Sequence, residues 1–156
     1  MKQEDKDLLL KDLCARLPYK TYVKTTKGIG YVYAINTSQL IELSVANDSE
    51  YWSEVFNIDE IKPYLRPMSS MTEEEAKELS ILYGLKDILS IKIADGYIDA
   101  VVDDGFGSTE ARTIWYDEIV SSIEIFDWLN THHFDYRDLI PMGLAIAITK
   151  ENNPYK

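Results

Sequence analysis

The sequence has little cysteine, and it lacks long apolar runs. Its single cysteine, Cys14, excludes a disulfide framework within the chain. No apolar run approaches the roughly 20 residues that a membrane-spanning helix requires. The first seven residues, MKQEDKD, are charged and lack the apolar centre of a signal peptide. We therefore expect a protein of the reducing cytoplasm that makes no contact with a membrane.

Histidine is equally scarce, because the chain has only His132 and His133. A site with three imidazole ligands is excluded within one chain, and no HExxH, CxxC, phosphate-binding loop or GxSxG sequence is present. We expect no catalytic residue, no cofactor and no enzymatic activity. One alternative is a small metal-dependent hydrolase that uses His132, His133 and Asp135. Adjacent helical residues point about 100° apart, which favours helix capping and packing instead.

Four aspartates lie close together in sequence, at Asp95, Asp99, Asp103 and Asp104. Such a group suggests a calcium or magnesium site, because hard cations take oxygen ligands. The run DDGFGSTE lacks the alternating ligands that an EF-hand loop places before its glycine. The pattern is more typical of solvated turns than of a metal site.

Basic residues are few, and their shortage is uneven. The chain has 16 basic and 27 acidic residues, for a net charge of −11. Residues 1–67 hold 9 basic and 10 acidic side chains, whereas residues 68–156 hold 7 and 17. This balance disfavours binding to duplex nucleic acid, which needs clustered Lys and Arg. Acidic side chains can also serve solubility alone.

The acidic second half is the predicted interaction surface, and the expected partner is another protein. Acidic side chains would supply the charge of this surface, and two tryptophans would be its anchors. The candidate contacts are Glu110, Trp115, Asp117, Glu118, Glu124 and Trp128. The sequence leaves the oligomeric state open.

The first half predicts a helix followed by a small antiparallel sheet. Residues 4–17 carry apolar side chains at helical spacing, and this stripe would bury Cys14 as a small hydrophobe. Residues 20–58 read as three or four short strands, which an SH3-like barrel would accommodate. Lysines and tyrosines alternate along the first hairpin, at Lys20, Tyr22, Lys24, Tyr31 and Tyr33. A second alternative function is therefore single-stranded nucleic-acid binding by this Tyr-rich hairpin.

The second half predicts a mixture of helices and a hairpin. Thr72 and Glu75 form a capping box, and Asp95-Gly96 is a hairpin turn. A further strand covers 111–116, and the last long helix starts at Asp117 or Ser121 with Ile123 on its buried stripe. The residues 152–154 read as a frayed tail.

The predicted fold class is α+β, with an N-terminal helix and a small antiparallel sheet packed with a second helix-plus-hairpin part. The predicted division is an N-terminal subdomain of residues 1–67 and an acidic subdomain of residues 68–156. We expect the two subdomains to form one compact unit, because 156 residues are enough for a single domain.

Three segments resemble other proteins in their amino-acid sequence. They are DLCARLPY at Asp12–Tyr19, IKPYLRPMSSMTEEE at Ile61–Glu75 and DWLNTHHFDYRDLI at Asp127–Ile140. The chain resembles uncharacterised proteins of prophages and mobile elements from gut anaerobes. This resemblance implies a genomic setting and supplies no catalytic residue. In that setting we expect a binding or accessory protein, with an acidic DNA mimic or anti-defence factor as a narrower form.

Overall fold

The computed structural model describes residues 1–36, 38–47 and 50–156. These residues form three α-helices and nine strands, which confirms the predicted α+β class with an N-terminal helix. In chain order the elements are α1 (Gln3–Arg16), β1 (Tyr22–Lys24), β2 (Ile29–Ile35), β3 (Ile41–Asn47), β4 (Glu50–Phe56), β5 (Lys62–Leu65), α2 (Glu73–Leu82), β6 (Ile88–Ala94), β7 (Tyr97–Asp103), β8 (Thr109–Trp115), α3 (Ile123–Thr131) and β9 (Ile146–Ala147).

The chain divides into two compact units, each with its own cluster of buried apolar side chains. The first unit combines Met1–Arg66 with Arg137–Lys156, and the second is Pro67–Tyr136. The division predicted from sequence assigns residues 137–156 to the second half. In the structure they lie in the first unit, because β9 pairs in parallel with β5. A two-residue strand carries no alternation from which this return could be predicted.

The sheet of the first unit has the order β4-β3-β2-β1-β5-β9. Strands β1 to β5 pair antiparallel throughout, as the hairpin pattern predicts. A one-turn 3-10 helix, Ile58–Glu60, precedes β5, and β5 then pairs with β1 rather than with its chain neighbour β4. The order of these five strands is compatible with an SH3-like arrangement.

Helix α1 contributes charged as well as apolar side chains to the interior of the first unit. The prediction that Cys14 is buried was wrong, because Cys14 is exposed. Asp12 and Arg16 are fully buried instead, one helical turn apart. The Arg16 Nε donates to Asp12 Oδ2 at 2.7 Å. A charged side chain can be buried when a hydrogen bond to an opposite charge offsets its loss of water. The side of α1 that carries Asp12 and Arg16 can therefore lie in the interior.

The C-terminal tail is docked rather than frayed. The Tyr155 hydroxyl accepts a hydrogen bond from the Tyr22 backbone N–H at 3.1 Å and donates to the Tyr64 carbonyl at 3.1 Å. Its ring packs edge-on against the Tyr22 ring, with centroids 5.1 Å apart. One side chain from the end of the chain therefore bridges β1 and β5.

Tyr155→Phe should destabilise the protein by about 1 kcal/mol, because it leaves the half-buried N–H of Tyr22 without its hydroxyl partner. Urea unfolding followed by circular dichroism measures this difference. Tyr33→Phe is the matched control, since the Tyr33 hydroxyl bonds the exposed Glu42 carboxylate. Equal midpoints for the two variants would contradict the bridging role of Tyr155.

The second unit packs two helices on one face of the antiparallel sheet β6-β7-β8. The predicted capping box starts α2: Glu75 N–H donates to Thr72 Oγ1 at 3.2 Å, and Thr72 N–H donates to Glu75 Oε2 at 2.9 Å. The predicted hairpin turns at Asp95-Gly96, where Gly96 has φ +90°. Together the helices and the sheet bury the side chains Ala76, Leu79, Ile98, Ile114, Ile125, Trp128 and Leu129.

The start of α3 differs from its prediction. Ser122 caps the helix by accepting the Ile125 N–H, so the helix begins at Ile123. The predicted stripe placed Ile123 inside, but this side chain is 64% exposed. Ile119 is buried, but it lies in the segment before α3. Its burial therefore does not indicate which side of the helix faces the core.

Candidate interaction surface

The net charge of the chain lies in one of its two units. The second unit, Pro67–Tyr136, carries 15 acidic and 4 basic side chains. The first unit carries 12 of each, so the whole net charge of −11 belongs to the second. The boundaries of the structural units therefore separate the charges more completely than the division of the sequence at residue 67 does.

The sheet of the second unit buries one face and exposes the other. Side chains alternate along β7 and β8, and Ile98, Ala100 and Ile114 lie on the buried face. The opposite face, called here the outer face, contains no buried residue. By register its members are Ser90, Lys92, Ala94, Tyr97, Asp99, Val101, Asp103, Thr109, Ala111, Thr113 and Trp115.

An aromatic pair marks one end of the outer face. Tyr97 and Trp115 are opposite each other on β7 and β8, and their ring centroids are 5.0 Å apart. The Trp115 side chain is 51% exposed. Lys92, Asp99 and Thr113 form the next cross-strand row, and the smaller side chains of Ser90, Val101 and Ala111 lie one row further along the face.

Polar side chains hold the middle of the outer face in place. The Thr113 hydroxyl donates to Asp99 Oδ1 at 2.7 Å across the β7–β8 pair. On its other side Asp99 is paired in register with Lys92 of β6. The aromatic end is thus next to an ordered carboxylate.

The structure brings three of the predicted contact residues together. Trp115 ends β8, and Asp117 and Glu118 follow it in an exposed turn. The Glu118 N–H donates to the Trp115 carbonyl at 3.2 Å, which closes this turn. The exposed Trp115 is therefore followed at once by a turn that carries two exposed carboxylates.

The other three predicted contacts lie elsewhere. Glu110 is on β8 but faces away from the outer face, and its Oε2 is 2.8 Å from Arg112 Nη2. Glu124 is exposed in the first turn of α3, where a hydrogen bond from its own N–H and one involving Ser122 lower the pKa of its carboxyl. Trp128 is only 8% exposed and belongs to the core, so the prediction of a surface anchor there was wrong.

The structure gives no support to a metal site at His132, His133 and Asp135 among the residues that it describes. The His132 Nδ1–H donates to the Trp128 carbonyl at 2.8 Å, which satisfies a carbonyl at the end of α3. His133 has φ +58° at the point where the chain leaves the helix, and Asp135 is buried. Across residues 1–36, 38–47 and 50–156, no three His, Cys, Asp or Glu side chains are grouped so as to hold a metal ion.

Two of the four neighbouring aspartates shape the β7–β8 loop. Asp103 Oδ1 accepts the Gly105 N–H at 2.8 Å, and Asp104 Oδ1 accepts those of Phe106 and Ser108. These are Asx-type turns, in which a carboxylate replaces a backbone acceptor. This local role accounts for the type and spacing of both residues.

Two tyrosines of the first hairpin, Tyr22 and Tyr31, pack against each other. Tyr22 contacts Tyr31 edge-on at 5.9 Å, and the Lys20 ammonium lies 5.7 Å from the centre of the Tyr31 ring. Stacking with nucleic-acid bases needs open ring faces. Tyr22 and Tyr31 are occupied by each other, whereas Tyr33 is 43% exposed, so the nucleic-acid alternative stays a prediction.

No protein-family model, no curated protein and no solved structure matches the chain. Among the helices formed by the described residues, none has both the length and the apolar character needed to cross a membrane.

Tyr116, next to the aromatic end, points the opposite way from Trp115 and packs against the core. Its hydroxyl oxygen is buried and has no hydrogen-bond partner among the described residues. Burial, and secondarily the charge of Asp95, raise the pKa of Tyr116 to about 12. An ordinary tyrosine has a pKa near 10, so the folded state holds this proton more tightly than the unfolded state does.

The free energy of unfolding should therefore fall as the pH rises from 10 to about 12, because the unfolded state loses the Tyr116 proton first. Tyr116→Phe should weaken that dependence. At pH 8 the same variant should be as stable as the natural protein or more stable, since it removes an unbonded buried hydroxyl.

Chemical denaturation at a series of pH values measures both effects. Tyr83→Phe, at an exposed tyrosine after α2, is the control for loss of a hydroxyl. A strong loss of stability at pH 8 in Tyr116→Phe would show that the hydroxyl has a partner and would contradict this account.

Proposed function

We propose that the protein is a non-enzymatic binding protein, and that its second unit binds a basic surface of another protein. The contact would be made by the aromatic end of the outer face together with the turn Asp117–Glu118. The observation that carries the proposal is the half-exposed Trp115, on an uncovered sheet face in the unit that holds the entire net charge.

The chemistry of the surface favours a partner rich in arginine or lysine. Trp115 offers a large ring that a guanidinium or ammonium group can cover, and the neighbouring carboxylates pair with the same cations. The charge of the second unit would accelerate encounter with a basic partner through long-range attraction. The same charge disfavours phosphate-bearing partners.

The density of carboxylates favours an ordinary protein interface over imitation of DNA. Asp99 and Asp103 are the acidic residues of the outer face, and they lie four residues apart on β7. That spacing corresponds to about 13 Å along a strand. Duplex DNA carries a charge roughly every 1.7 Å of its axis, so this face is much sparser than a nucleic-acid backbone.

Trp115→Ala should weaken partner binding by roughly 30-fold, the loss expected for an interface anchor worth about 2 kcal/mol. The partner is first isolated from the native host by affinity capture, and calorimetry then gives its affinity for each variant. The pair Asp117→Lys with Glu118→Lys should also weaken binding, chiefly by slowing association.

The matched control is the pair Glu74→Lys with Glu78→Lys, which makes the same charge change on the exposed side of α2. If this control weakens binding as much as the substitutions at 117 and 118, net charge rather than the outer face recognises the partner. Full affinity in Trp115→Ala would refute the proposed site. Competition by duplex DNA would indicate that the partner uses its DNA-binding surface.

A further inference from the structure

Strand β8 is an open edge of the second sheet. It is the terminal strand in the order β6-β7-β8, so β7 is its only strand partner among the described residues. Its first five residues, Thr109–Thr113, are all exposed. Such a strand presents unpaired backbone donors and acceptors that another strand can pair with.

The two edges of this sheet are not equivalent. The β6 edge is interrupted by a register shift between Ile88 and Ser90, and α2 packs beside this strand. Bulges and covering elements protect an edge from strand addition. In contrast, β8 pairs with β7 over its full length, Thr109–Trp115, with no shift. A regular edge strand is the one suited to accept a partner.

The exposed part of β8 is complementary to itself. It reads Thr-Glu-Ala-Arg-Thr from Thr109 to Thr113. If two copies run antiparallel and Ala111 faces Ala111, then Glu110 of each copy faces Arg112 of the other, and Thr109 faces Thr113. Opposite charges and Thr–Thr pairs are both favourable cross-strand neighbours.

We propose that two copies of this chain associate through β8, in an antiparallel pair centred on Ala111, to form one continuous six-stranded sheet. A two-fold axis would pass beside Ala111, as expected for a self-complementary interface. This inference is independent of the proposed protein partner, because strand addition uses the edge of the sheet and leaves its outer face open.

The charges select this register against its neighbours. In an antiparallel pair, two residues directly opposite each other point to the same face of the sheet. Adjacent residues of one strand point to opposite faces, so the two-fold axis must pass beside a residue and not between two residues. Centring on Arg112 would place two guanidinium groups opposite each other, and centring on Glu110 would oppose two carboxylates. Like charges directly opposite are destabilising. Ala111 is the centre that pairs all four charges.

The hairpin loop adds a second reason for this register. When Thr109 faces Thr113, the loop before β8 in one copy lies beside the end of β8 in the other. That loop carries Phe106, which is 94% exposed. The pairing would therefore bring Phe106 of each copy to the end of β8 in the other and shelter part of this exposed ring, while the Trp115 ring stays on the open outer face.

The test uses charge reversal in the full chain, with mass measured by sedimentation equilibrium over a range of protein concentrations. The natural protein should pass from monomer to dimer as its concentration rises. Glu110→Arg and Arg112→Glu should each weaken the dimer by at least about tenfold, because each turns two attractive pairs into repulsive ones. Both side chains are exposed, so the fold should persist.

Two further samples separate pairing from a general effect of charge. The double variant Glu110→Arg with Arg112→Glu should dimerise again, because it restores both cross-strand pairs in exchanged positions. An equimolar mixture of the two single variants should form a heterodimer, since one chain then carries two arginines and the other two glutamates at these positions.

Glu74→Arg and Lys77→Glu on α2 are the controls, because they make the same charge changes at exposed positions away from β8. They should dimerise like the natural protein. A natural protein that stays monomeric at every concentration would overturn the proposal. A dimer unaffected by either single reversal, or a double variant and a mixture that both fail to associate, would also overturn it.

Discussion

A three-stranded sheet has two faces and two edges, and two short helices cannot cover all of them. In the second unit α2 and α3 close the face that carries Ile98 and Ile114, and the other face stays in water. A core of this size has apolar side chains for one layer of contacts only. Both the candidate surface and the β8 edge follow from this limit, because they are the parts of the sheet that the helices leave open.

The two units deal with charge in opposite ways. The first has as many bases as acids and even buries the ion pair of Asp12 with Arg16, whose geometry offsets the cost of removing both groups from water. The second has 15 acids for 4 bases and keeps most of them in solvent. Exposed like charges repel one another at modest cost in high dielectric. A surface of this kind adds little to stability, and its effect is on which partners approach.

Local sequence signals predicted the elements that depend on neighbouring residues. The capping box of Thr72 and the turn at Asp95-Gly96 each involve at most four residues, and both formed as expected. Errors arose where distant parts of the chain decide the outcome. Asp12 is buried instead of Cys14 where Arg137, from the far end of the chain, brings its Nε within 3.6 Å of Asp12 Oδ1. The tail is ordered by a tyrosine that bonds strands more than ninety residues away. Trp128 is a core residue because it shares the buried side of α3 with Ile125 and Leu129, whereas the predicted stripe was drawn through Ile119, which lies before the helix.

The charges on β8 explain how an open edge can remain specific. Glu110 and Arg112 face the same side as buried Ile114, and charges on that side of an edge strand discourage pairing with foreign strands. A foreign apolar strand would take the Glu110–Arg112 ion pair out of water and add no further charge to bond it, which is costly. A second copy supplies the opposite charge at each position. The same two side chains therefore reject most strands and accept their own, so the edge is protected from aggregation by the feature that allows it to pair.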